Sequence, residues 1–132
     1  MVALFRHRDI DLERPFDPVA AMQAYHAAIE KRDLKYVSGA LAEDAVYRSK
    51  GLGSVDGRSA ILAALESYFA NNPNHKAWDT SIVEESRSVA VCEWQLRTVD
   101  QTTGKPVSRH GKERITFGAR GQIKTVEVED FT

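Results

Sequence analysis

The hydrophobic period of this chain changes once, near Pro73, and does not change back. Upstream, apolar residues recur at three- and four-residue spacing, which one face of a helix requires; downstream they alternate, which one face of a strand requires. Asp17-Pro18 opens the first helix, with Asp as N-cap and Pro at the first helical position. Val19, Met22, Tyr25 (or His26) and Ile29 form its stripe to about Lys31. Asp33 caps a shorter second helix carrying Leu34, Val37 and Leu41 on one side. A third begins near Arg58 or Ser59, buries Ile61, Leu62, Leu65, Tyr68 and Phe69, and ends at Asn71-Asn72-Pro73.

The strands follow from alternation and turn chemistry. A first strand is predicted over residues 45–50, with Ala45, Tyr47 and Ser49 sharing a face; Gly51, Gly53 and Gly57 make the next stretch loop-like, with a short strand around Ser54-Val55. Residues 76–85 alternate with Trp78, Thr80 and Ile82 on one face. Residues 88–99 set Ala90, Cys92, Trp94 and Leu96 against Val91, Glu93, Gln95 and Arg97. Thr103-Gly104 and the stretch from Gly118 to Gly121 are turns, and residues 122–130 form the last strand, with Val126 and Val128 apolar and Thr125, Glu127 and Glu129 wet. Helices first and hairpin-linked strands after predict an α+β domain, its helices on one face of a curved antiparallel sheet and a cavity at the concave side. Residues 1–16, charged and weakly patterned, read as an N-terminal arm before a single domain over 17–132.

One strand carries an oddity. In residues 108–117, S-R-H-G-K-E-R-I-T-F, the face of Arg109, Gly111 and Glu113 ends in Ile115 and Phe117. If that face is buried, Glu113 points into an apolar interior, where a carboxylate must be paired, neutralised or used. The two readings are a cavity acid or base with its pKa raised by desolvation, and a structural ion pair with Arg109 or with another Arg or Lys.

Composition narrows the function. Nineteen acidic against eighteen basic residues leave a formal charge of -1, which favours neither nucleic acid nor an anionic membrane. No apolar run approaches the ~20 residues of a membrane span. The single cysteine, Cys92, excludes an internal disulfide and supplies no zinc cluster. His75 and His110 have no Cys or carboxylate at ligand spacing, so no metal centre is predicted. The expected setting is cytoplasmic.

The phrases "AYHAAIEKRDLKYVSGALAEDAVYRS", "VDGRSAILAALESYF" and "GKPVSRHGKERITFGARGQIKTVEVED", in this order, resemble the nuclear transport factor 2-like superfamily in its SnoaL-like and ketosteroid-isomerase-like branch. The resemblance implies a cone-shaped, cystatin-like α+β roll with an interior pocket. It implies a cofactor-independent polyketide-cyclase- or isomerase-like activity, or a non-catalytic binding or assembly module of the same fold. In isomerase-like members a tyrosine on helix one donates to the substrate oxygen, and Tyr25 falls there; Glu113 falls where a strand carboxylic acid acts, usually as the shorter Asp. The proton-shuttling Asp of the first strand is Ser49 here, a departure from isomerase chemistry, since a serine is no base without an activating partner.

The candidate catalytic residues are therefore Glu113 and Tyr25. The candidate ligand-binding residues are Tyr47, Ser49, Phe69, Trp78, Trp94, Phe117 and Val126, although aromatics at these spacings are more often plain core. The expected ligand is a small hydrophobic or aromatic molecule, without cofactor or metal. Val89, Val91 and Val99, interleaved with Glu93, Gln95 and Arg97, form a mixed outer face suited to a homodimer by analogy with the superfamily.

Overall fold

The computed structural model describes residues 16–132. The arm expected before the domain lies outside them apart from Phe16, whose ring packs 4.8 Å from that of Phe117. Helix α1 (Pro18–Glu30) starts where the Asp17 side chain accepts from the Ala20 amide. Helix α2 (Leu34–Ala40) is capped in the same way by Asp33, which accepts from Tyr36. Leu41, expected on α2, is instead extended and opens strand β1 (Leu41–Ser49), so the strand starts four residues before the predicted 45. A short β2 (Gly53–Asp56) and helix α3 (Arg58–Asn71) follow, then β3 (Lys76–Ser86), β4 (Val89–Val99), β5 (Pro106–Phe117) and β6 (Ile123–Asp130).

The six strands form one sheet in the order β2-β1-β6-β5-β4-β3. The hairpins β3–β4, β4–β5 and β5–β6 are antiparallel as expected. The sheet as a whole is mixed, because β6 returns beside β1 and pairs with it in parallel, Tyr47 opposite Val126. Turn residues fix hairpins, whereas this pairing joins strands separated by most of the chain, and no local signal encodes it.

The helices cover the concave face. Met22, Val37, Leu41, Ile61, Ile115 and Val126 are fully buried between them and the sheet. On the scale of roughly 1.5–3 kcal/mol per buried aliphatic side chain, this cluster is the main support of the fold. Packing fills the end of the concave face where Ile115, Phe117 and Val126 lie, and leaves the other end open as a cavity.

Candidate functional site

The cavity holds about 280 Å³, and Tyr25, His26, Tyr47, Trp94, Arg109 and Glu113 are among its walls. Helix α1 supplies Tyr25 and His26 side by side, β1 supplies Tyr47, and the central strands supply Trp94 and Glu113. Glu113 is 7 % exposed, so its carboxylate is buried as its strand face predicts.

Its partner is not Arg109. Arg109 Nε donates to Asp130 Oδ2 at 2.6 Å, and Glu113 Oε1 lies 2.6 Å from His26 Nε2. The other imidazole nitrogen, Nδ1, lies 2.7 Å from Asp79 Oδ2. His26 is thus held between two carboxylates. Burial works against its charge, but the Glu113 carboxylate and the hydrogen bonds to Asp79 and Glu113 outweigh it and push its pKa up to about 10. At neutral pH His26 is an imidazolium that donates from both nitrogens.

Asp79 reaches this site through a β-bulge. Between Asp79 and Ser81 the register of β3 on β4 slips by one residue, so Asp79 stands opposite Trp94 on the concave side while Ile82 stands opposite Cys92 on the same side. The regular alternation expected for this strand is overturned by that extra residue. Trp78, predicted inside, stands opposite Gln95 on the outer face; it borders the cavity but is 41 % exposed, with the Arg97 guanidinium 5.7 Å from its ring centre.

Tyr25 and Tyr47 both line the cavity, and among the described residues neither hydroxyl has a hydrogen-bond partner. Burial pushes both phenols well above their ordinary range; Tyr47 and Glu113 add to the rise at Tyr25, and Glu113 and Tyr68 add to it at Tyr47. Both are therefore neutral donors. Ser49 also lines the cavity, with its Oγ accepting from the Leu52 amide at 2.9 Å, and Phe69 and Trp94 are walls as predicted. Phe117 and Val126 are not. They share the concave face but sit at its packed end, Phe117 against Phe16 and Val126 fully buried opposite Ile115; Val128 takes the wall position one pair further along.

A second histidine stands at the wall. Tyr68 Oη lies 2.9 Å from His75 Nδ1, and His75 Nε2 lies 3.8 Å from Glu30 Oε2. Burial, with the nearby Arg32 charge, lowers the His75 pKa to about 4, so this ring is neutral where His26 is charged. Two residues of the site escaped the sequence reading: Asp79, for which a bulge gives no signal, and His26, which was legible only as a neighbour of Tyr25 on the helix stripe.

His26, Asp79 and Cys92 bring one ligand atom each within 4.8 Å of one another. Both imidazole nitrogens are already engaged, however, and burial pushes the Cys92 thiol far up, so this donor set suits a proton better than a cation.

A SnoaL-like domain family matches residues 22–126. The chain belongs to the SnoaL-like family. With it comes the nuclear transport factor 2-like superfamily. A Mycobacterium tuberculosis protein solved in complex with estradiol-17β-hemisuccinate is 15 % identical, over 84 % of this chain and 91 % of that one, with a TM-score of 0.73. The delta-5-3-ketosteroid isomerase of a Mycobacterium species is 17 % identical, over 86 % and 93 %, with a TM-score of 0.72. A Burkholderia pseudomallei protein of unknown function, described as of the same superfamily, is 18 % identical over 84 % and 88 %, with a TM-score of 0.74. At such identities the likeness is one of fold. No curated protein matches the chain.

Proposed function

We propose that this SnoaL-like protein binds a small hydrophobic or aromatic carbonyl compound and moves a proton at the carbon next to its carbonyl, as a cofactor-independent isomerase- or cyclase-type enzyme. The observation that carries the reading is a buried carboxylate, Glu113, facing the same cavity as two tyrosine hydroxyls that have no hydrogen-bond partner among the described residues. Glu113 takes the proton, the electrons of the broken C–H bond move onto the carbonyl oxygen, and Tyr25 and Tyr47 donate to that oxyanion. Glu113 then returns the proton at the same or a conjugated carbon. His26, fixed by Asp79, holds the Glu113 carboxylate in place, and Ser49 orients the ligand. At about 280 Å³ the cavity lies just below the roughly 300–1,000 Å³ of small-molecule sites, which favours a compact ligand over a large polycycle.

The His26–Glu113 pair also favours a second reading. A carboxylate already engaged by an imidazolium at 2.6 Å suits a receptor that binds without turnover. Propiophenone in heavy water separates the two. The enzyme reading expects α-proton exchange, followed by NMR, to run faster than in buffer and to stop in Glu113→Gln. Binding without exchange supports the receptor, and neither binding nor exchange ends both readings.

The reading includes a cytoplasmic homodimer formed through the outer sheet face, where Trp78 and Val83 are exposed. Sedimentation at the monomer mass, at tens of micromolar, would remove the dimer from it.

A further inference from the structure

We infer that Arg109 forms an anion-binding subsite in the cavity and that the molecule taken there is a small oxo-carboxylate, a carbonyl compound with one carboxylate a short chain away. This rests on the reading above and names its substrate class. Arg109 lines the cavity, yet only its Nε has a partner among the described residues, Asp130 Oδ2 at 2.6 Å. A guanidinium carries five N–H donors in a fixed fork, so both terminal nitrogens still present donors to whatever enters. The anchor is firm: the Asp130 side chain is 9 % exposed and its Oδ1 also accepts from the Thr132 amide at 2.9 Å.

The same anchor sets the distance to the chemistry. Asp130 stands opposite Gly111 across β5 and β6, so the guanidinium is drawn along β5 to the level of Gly111. Glu113 is two positions on, about 7 Å at the rise of a strand. Residue 111 is glycine and puts no side chain of β5 between them; the Trp94 ring lies over it instead. A carboxylate bound by the fork therefore leaves its carbon chain on an apolar floor that leads to Glu113.

Charge selects the class. Beside Arg109, Asp130 is already engaged by the guanidinium and Glu113 by His26, whereas an anion reaching Arg109 meets its free terminal donors; the other carboxylates of the lining, Asp79 and Glu30, belong to β3 and α1. Asp130 beside the fork also disfavours a dianion, so a carboxylate fits better than a phosphate. Lys50 is a further cation of the cavity wall.

The test compares β-benzoylpropionate with its methyl ester by calorimetry on the intact chain. Arg109→Gln is the direct variant. The double variant Arg109→Gln/Asp130→Asn removes both charges together and leaves no buried carboxylate without its cation. The wild type is expected to bind the acid about tenfold or more tightly than the ester, as a bidentate charge-assisted pair warrants. Both variants are expected to lose that preference while ester affinity holds, which a merely structural Arg109–Asp130 pair would not produce. Equal affinity of acid and ester for the wild type, or a preference that survives the double substitution, overturns the subsite and leaves the carbonyl pocket standing. Binding of neither probe at millimolar concentration overturns both.

Discussion

His26 Nε2 lies 2.6 Å from Glu113 Oε1, joining helix α1 to strand β5 across 87 positions of sequence. Asp79 completes the arrangement from the far side of the ring, so one imidazolium ties α1 to both β3 and β5. A single proton on His26 is therefore both a structural fastener and the setting of the candidate acid or base.

That proton makes stability fall on the alkaline side. The His26 pKa is raised from 6.5 to about 10, so the unfolded imidazole releases its proton first as pH rises. The stabilisation is fully present below about 6.5 and is lost as pH climbs through about 10. Urea midpoints measured across that window should decline in the wild type and stay flatter in His26→Gln. Glu113→Gln should fold, because the amide oxygen still accepts from His26. It should also flatten the alkaline limb, since it removes the leading upward influence on the ring. Identical alkaline limbs in all three proteins would dissolve the imidazolium link.

His75 works in the opposite sense. Its pKa is lowered from 6.5 to about 4, so between those values the unfolded chain binds more protons than the folded one. Its contribution is present above about 6.5 and is lost as pH falls through about 4. His75→Gln should make the thermal midpoint less sensitive to acid over this interval, and an unchanged slope would show that His75 is not neutral in the fold. Together the two rings centre the stability maximum near neutrality.

Gly111 is the most tightly enclosed of the glycines. A Cβ there would be driven into the Glu129 carbonyl oxygen and would stand 2.6 Å from Trp94 Cζ2. Gly111→Ala should destabilise the protein by about 1–3 kcal/mol or more, as overpacking does, and should shift the Trp94 fluorescence. Gly39, where a Cβ meets nothing within 4 Å, provides the control, and Gly39→Ala should cost little. Equal denaturation midpoints for the two variants would mean that β5 and β6 separate readily at Gly111.

Much of the fold was legible because its causes are local. Asp17 and Asp33 cap the helices they were expected to cap, the two hairpin turns fall at their glycines, and strand alternation turned Glu113, Tyr47 and Ser49 inward. The departures come from contacts that are not local. Trp78 was placed inside because alternation was extended through Thr80, and one extra residue at the bulge reversed it. Phe117 and Val126 were placed correctly on the concave face, but which end of that face is packed depends on where the helices lie.

The sequence by itself determined the order of the elements, the inward faces of β1, β4, β5 and β6 and the presence of a carboxylate in an apolar interior, since period and turn chemistry act over a few residues. Only the tertiary structure decided that His26 rather than Arg109 holds that carboxylate, that Asp79 joins them, and that β6 closes beside β1 in parallel. Those contacts join segments tens of residues apart. They follow from the packing of a helix on a bulged sheet, for which no short stretch of sequence carries the instruction.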